Sequence, residues 1–211
     1  MERFPEQFCD QLRDLMSWRR DVRHFHADRP VDDAVLETVL EAIRLAPSVG
    51  LSEPWRIISV KSDAARKKAL VNFEAANADA LSGYSGERAQ KYAGLKLSGM
   101  RDAPVQLAIF CDESTEKGAG LGAGTMPEAR RYSVVSAVMN FWLAARAHGL
   151  GVGWVSIIDP KQLALDLRAD EGWALVAYLC VGWPMEISQT PELEKAEWEK
   201  RDPLLAEVQE R

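Results

Sequence analysis

Residues 174–182 are nearly all apolar, and a strand of that composition must be covered on both of its faces, as a central strand of a sheet is. The chain therefore has to build a layered fold in which helices flank a sheet. Residues 132–148 form the longest apolar helix of the sequence, with small residues at Ser133, Ser136, Ala137, Ala144, Ala145 and Ala147. Such a face lets another helix approach closely, either in the centre of the fold or at an interface. Gly149 and Gly151 are expected to cap this helix through positive φ. Further strands are expected at 56–60, 104–111 and 153–158, where apolar runs lie between turn or breaker residues. Phe8, Leu12, Leu15 and Met16 recur at helical spacing, and Val35, Leu36, Val39, Leu40 and Ile43 do the same until Pro47 makes continuation costly. A helix is also expected over about 64–80 and a shorter one up to Leu97, separated by the turn-like residues 82–86. The Gly-rich stretch before Met126-Pro127 reads as a mobile loop, and the charged segment from Glu192 reads as an extension. Helices and strands alternate irregularly and no internal repeat occurs. The expected architecture is α+β, a central mixed or antiparallel sheet flanked by helices, with residues 1–211 forming one domain.

Composition narrows the partners. With 211 residues and 47% apolar content, the chain can bury a sizeable core. No apolar run reaches membrane-spanning length, and Met1-Glu2-Arg3-Phe4-Pro5 lacks a basic region followed by an apolar core. The expectation is a cytosolic protein with no membrane partner. Cys9, Cys111 and Cys180 have no metal-type spacing, and Cys111 and Cys180 fall in core-like apolar runs that suit buried thiols. A net charge of -6 argues against nucleic acid as a partner.

Against that acidic background stands Arg19-Arg20-Asp21-Val22-Arg23, at the end of the first amphipathic stretch. If the helix ran through it, Arg19 and Arg23, or Arg20 and Arg23, would share a face and could converge on one small anion. Asp21 would be held ionised by those neighbours and could orient a substrate or take a proton. A solvated charge cluster is the plainer alternative.

Other chemistries find no support. Gly118-Ala119-Gly120-Leu121-Gly122-Ala123 matches the relaxed dinucleotide fingerprint in letters, but it neither follows a strand directly nor opens a helix. His24 and His26 have no third histidine nearby, so no metal site is expected. Ser48 and Ser156 lie outside any Gly-x-Ser-x-Gly elbow. With no redox or nucleophilic side chain in evidence, the chemistry has to come from a bound cofactor.

Arg19-Arg20-Asp21-Val22-Arg23, Ala46-Pro47-Ser48-Val49-Gly50 with Pro54-Trp55, and Gly151-Val152-Gly153-Trp154-Val155-Ser156 together resemble the nitroreductase family of FMN proteins, and within it the flavin-consuming branch. The resemblance runs from about residue 17 to 205. Ser85-Gly86-Glu87-Arg88, Lys91-Tyr92 and Leu95-Lys96-Leu97 resemble the lid of that branch, about residues 82–101, and the C-terminal extension covers about 190–211. The resemblance implies that reduced FMN (FMNH2) is itself the substrate. In the presence of O2 it would be fragmented to 5,6-dimethylbenzimidazole, the lower ligand of vitamin B12, with release of erythrose 4-phosphate. Asp21 and Ser156 match the residues most tied to flavin destruction. By the same carry-over, Arg19, Arg20, Val22, Arg23, Ser48, Gly50, Leu97 and Arg201 join them in binding the flavin, with no metal. The family forms homodimers with flavin at the subunit interface, and since no nicotinamide motif is present, a separate flavin reductase is implied. His24-Phe25-His26 departs from the acidic residues expected after the arginines. The alternatives are an NAD(P)H-dependent nitro or quinone reductase that recycles FMN, and a non-catalytic flavin-binding module.

Overall fold

Two apolar clusters, one on each face of a four-stranded sheet, hold the chain together. The computed structural model describes residues 3–95, 98–202 and 206–211. Its strands are β1 (Trp55–Ser59), β2 (Val105–Asp112), β3 (Gly151–Val155) and β4 (Trp173–Gly182), in the order β1-β2-β4-β3 and antiparallel throughout. Side chains alternate across the sheet. Leu107, Ile109 and Cys111 of β2 and Leu179 and Val181 of β4 enter one cluster, while Ala108 and Phe110, with Tyr178 and Cys180, enter the other. That two-sided burial is why both strands are apolar almost without interruption.

The helices are α1 (Glu6–Trp18), α2 (Asp33–Glu41), α3 (Asp63–Ser82), α4 (Gly86–Gly94), α5 (Gly99–Asp102), α6 (Ala129–Ala147), α7 (Pro160–Asp166) and α8 (Glu192–Lys195). On one sheet face α6 buries Val134, Ala137, Val138, Phe141 and Ala145, and α2 adds Leu36 and Val39. On the other, Ala69 and Phe73 of α3 and Leu163 of α7 close over Phe110 and Tyr178. The small residues of α6 are divided: Ser133, Ala137 and Ala145 are buried, Ser136 and Ala144 half-buried and Ala147 exposed, while the larger Tyr132, Val135 and Met139 stay exposed. Helix α1 buries none of its residues, leaving Phe8, Leu12 and Met16 exposed.

Several expectations change. Gly149 does end α6 with φ +80, but Gly151 lacks positive φ and opens β3 instead. The Gly-rich stretch is a packed run of turns rather than a loose loop: Gly118 lies against the carbonyl of Gly50, and Gly122 against Val49. Helix α7 was not expected at all. Asp159 starts it, its Oδ1 accepting from Lys161 N–H and Gln162 N–H at 3.0 Å each, with Pro160 in the first turn. Among the described residues no helix is long and apolar enough to cross a membrane.

Candidate active site

The arginine motif is extended, not helical. Helix α1 ends at Trp18, Arg19 takes φ -72 and ψ 116, and the chain then runs beside the free edge of β3. Val22 N–H donates to Val152 O at 3.0 Å, and Asp21 bridges Val152 in parallel sense. The shared helical face expected for the arginines therefore does not form. An extended run replaces it, which brings Asp21, Val22 and Arg23 alongside β3 and the cleft. The physical reason is tertiary: β3 offers unpaired edge groups, and its glycines leave room for the incoming strand. A Cβ at Gly151 would lie 2.7 Å from Val22 Cγ2, and one at Gly153 would collide with the Val22 carbonyl oxygen.

Asp21 is fastened by this docking. Its Oδ1 accepts from Trp154 N–H at 2.8 Å, and Arg23 Nε stands 3.5 Å from Oδ2. Although 41% of the side chain is open to an adjoining cleft, protein encloses the carboxylate elsewhere. Burial pushes the Asp21 carboxyl above its ordinary value of 3.8, opposed by the Trp154 N–H and by the Arg23 and Arg19 guanidiniums. Arginine neighbours therefore do not make Asp21 a stronger acid than usual; desolvation outweighs them. Arg23 is only 14% exposed, and its buried Nε has no hydrogen-bond partner.

The cleft has a volume of about 220 Å³. Asp21, Arg23 and Ser156 line it, over an apolar floor that includes Met100 and Cys180. Ser156 lies just past the end of β3 rather than within it, exposed to the cleft, and makes no hydrogen bond among the described residues. Burial raises the Cys180 thiol to about 12, so it lines the cleft as a neutral, unreactive group. The outer wall is Tyr92 of α4 and Trp198. These two pack with Tyr84, whose ring centroid is 5.0 Å from Tyr92 and 5.4 Å from Trp198, while Arg88 lies over Trp198 at 5.3 Å. Tyr92 Oη donates to Asn77 Oδ1 at 2.9 Å, anchoring α4 to α3.

A second group of cations sits on the other side of the strand. Arg20 Nε donates to Gln189 O at 2.6 Å and Nη1 to Arg19 O at 2.7 Å. Burial, then Arg201 and then Arg19, lowers the Arg20 pKa, with Glu194 opposing. Arg19 and Arg201 both lie near enough to Arg20 for like-charge repulsion to be felt there. Arg19 lies over the Trp142 ring at 4.8 Å, and Arg201 stands 3.5 Å from Glu194. Arg19, Arg20 and Arg201 thus group beside the cleft, while Asp21, Val22, Arg23 and Ser156 line it. Ser48 and Gly50 are not among the lining residues: Ser48 Oγ accepts from Glu53 N–H at 3.1 Å, and the turn packs on residues 118–122. Leu97 lies outside the described residues. From sequence Tyr92 belongs only to a covering segment and Trp198 only to a charged extension, yet both line the cleft. An aromatic residue in so charged a stretch was the available signal.

A family model described as Nitroreductase family matches residues 16–183. A 5,6-dimethylbenzimidazole synthase of Rhodospirillum rubrum is 52% identical over 200 residues, covering 95% of this chain and 94% of the relative. A protein of the same name from Rhodobacter capsulatus is 45% identical, covering 95% and 96%. Among solved structures, oxidized iodotyrosine deiodinase bound to FMN and 3-iodo-L-tyrosine superposes with a TM-score of 0.75 at 20% identity, over 95% of this chain and 100% of the other. A Lactococcus lactis nitroreductase in complex with nicotinic acid gives 0.64 at 21% identity, over 83% and 90%.

Proposed function

The chain belongs to the nitroreductase family, and from that premise we propose that it fragments reduced FMN in the presence of O2, yielding 5,6-dimethylbenzimidazole and erythrose 4-phosphate. One observation carries the reading. Asp21 and Ser156, from distant parts of the sequence, face the same cleft, and Asp21 is hydrogen-bonded to Trp154, two residues before Ser156. The arginine group suits the phosphate of FMN, and the Arg23 guanidinium, which lines the cleft, suits an acceptor at the edge of the flavin ring. An apolar floor suits the ring itself. These three features support the reading of the cleft as an FMN site.

In this reading Asp21 moves protons. A carboxylate whose pKa is raised by burial is a better base than an ordinary one and exchanges its proton closer to neutrality. Ser156 has a free hydroxyl to donate to, or accept from, a flavin heteroatom. Arg19, Arg20 and Arg201 hold the phosphate; Val22 and Arg23 hold the ring. In this reading Tyr92 and Trp198 cover the bound flavin against a nicotinamide, and FMNH2 arrives already reduced by a separate flavin reductase in the cytosol.

The proposed protein is a homodimer. Exposed Phe8, Leu12 and Met16 of α1 form an apolar face that a second copy would cover. Ser48 and Gly50 lie outside the cleft of their own chain, next to exposed Leu51 and Leu121; with flavin at the subunit interface, as the family resemblance implies, they would serve the partner's cleft. The deciding experiment is aerobic incubation of the protein with FMN and a chemical reductant, followed by mass spectrometry. Formation of 5,6-dimethylbenzimidazole supports the reading; intact FMN cycling with NADPH oxidation would make the protein a nitro or quinone reductase, and intact FMN without turnover a flavin-binding module.

A further inference from the structure

Asn72 stands in the middle of α3, buried to 8% exposure, next to the cleft-lining Phe73. Asparagine is a poor helix former, and burying its amide is costly unless the amide is fully bonded. Here the bonds go to one residue of another element: Nδ2 donates to Asp159 O at 3.0 Å, and Oδ1 accepts from Asp159 N–H at 2.8 Å. Two bonds to the N–H and C=O of one residue fix it much as a paired residue of an antiparallel ladder is fixed.

The segment so fixed is short. Ser156, Ile157 and Ile158 connect Val155, which pairs with Tyr178 in the sheet, to Asp159, which caps α7. Ser156 Oγ has no hydrogen bond of its own, so its place in the cleft is set only by the backbone that carries it. Among the described residues, Asn72 is the one side chain from outside the segment that bonds to it. Asp159 O also accepts from Leu163 N–H at 3.0 Å, so that carbonyl does not depend on Asn72 for a partner; what the amide adds is a fixed join between α3 and the start of α7.

We propose that Asn72 is a positioning residue for the flavin chemistry, holding the loop after β3 so that the Ser156 hydroxyl stays aimed into the cleft. The proposal rests on the role given to Ser156 above. It predicts an effect on what becomes of bound flavin rather than on whether flavin binds, because the arginines come from a different strand. Displacing a reacting group by ~1 Å can cost on the order of 10²-fold in rate.

The test compares wild type, Asn72→Ala, Asn72→Ser and Ser156→Ala. Two quantities are read for each: FMN affinity by fluorescence quenching, and the fraction of air-oxidised reduced FMN recovered as 5,6-dimethylbenzimidazole rather than as intact FMN. The expected result is a fall of about tenfold or more in that fraction for Asn72→Ala, in the direction of Ser156→Ala, with FMN affinity changed by no more than about twofold. A wild-type fraction in Asn72→Ala, with Ser156→Ala impaired, overturns the proposal. Wild-type yields in Ser156→Ala would instead remove the role of Ser156, and this proposal with it. Absence of benzimidazole from the wild-type protein would show that the function reading itself is wrong. If Asn72→Ala does not fold, Asn72→Ser carries the comparison. Hydrogen exchange gives a further readout: the Asp159 amide should exchange faster in either Asn72 variant, and unchanged exchange also overturns the proposal.

Discussion

Gly153→Ala is the substitution that most directly tests how Asp21 is placed. A methyl group there meets the carbonyl oxygen of Val22, which is backbone and cannot rotate away. Relief requires the arginine strand to lift from β3, which breaks Val22 N–H to Val152 O (3.0 Å) and Trp154 N–H to Asp21 Oδ1 (2.8 Å). An ordinary hydrogen bond contributes about 1 kcal/mol and one to a charged group about 1.5–3, so the loss comes to about 2–4 kcal/mol. For a chain of this size each kcal/mol lowers Tm by roughly 2–4 °C, giving a drop of about 5–15 °C. Thermal unfolding of the flavin-free protein reads the stability, and an FMN titration reads the site. Gly151→Ala is the control, because there the obstruction is the Val22 side chain, with Cγ2 at 2.7 Å, which can shift more readily. If the damage runs through Asp21, adding Gly153→Ala to Asp21→Ala should cost less FMN affinity than Gly153→Ala alone. A Gly153→Ala protein with wild-type Tm and wild-type FMN affinity would refute the reasoning.

Asp21 has a folded-state pKa raised above 3.8, so its contribution to stability is fully present below that value and is lost as pH rises through the folded pKa. Asp21→Asn should remove this loss, and the difference between wild-type and variant stability should grow with pH above 3.8 in urea titrations; parallel curves would count against it. Brief alkylation of the native protein near pH 8 should modify Cys9, which is exposed, and spare Cys111 and Cys180, whose thiols burial raises to about 11 and about 12; mass spectrometry of the peptides checks this. Trp198→Ala removes the ring contacts to Tyr84 and Tyr92, together about 1–2 kcal/mol, and should speed FMN release roughly tenfold in stopped-flow fluorescence; an unchanged rate would mean that the contacts do not hold α4 over the cleft.

The strands were legible because burial on both sides leaves an unmistakable apolar run, as in β2 and β4. Their order was not, since β1-β2-β4-β3 depends on pairings between distant segments that local sequence does not encode. The arginine motif shows the same division. Its residue types pointed to an anion site, but its charge spacing fits a helix as well as a strand, and only the groove above Gly151 and Gly153 decides for the strand. Helix α7 escaped notice because a seven-residue helix has little periodicity to display, although Asp159-Pro160 carried its start signal. Ser156 and Asp21 came together through resemblance rather than through spacing, and Asn72 lay inside an Ala-rich helix where nothing marked it as inward-facing and polar.

The edge of β3 explains why so much of the site depends on one strand. An unpaired edge is a liability in a sheet, and here it is occupied by the chain's own arginine segment. One face of that solution is structural, the pairing of Val22 with Val152; the other is chemical, the anchoring of Asp21 to Trp154. Ser156 then follows on the same strand's end, so the separation between carboxylate and hydroxyl is set by β3 and by Asn72 behind it. Changes to Tyr84, Tyr92 or Trp198 should therefore alter how long flavin stays, whereas changes to Asn72 should alter what becomes of it. Two classes of variant that separate residence from product in this way would locate the chemistry on β3; variants that always move both together would place it at the covering helix instead.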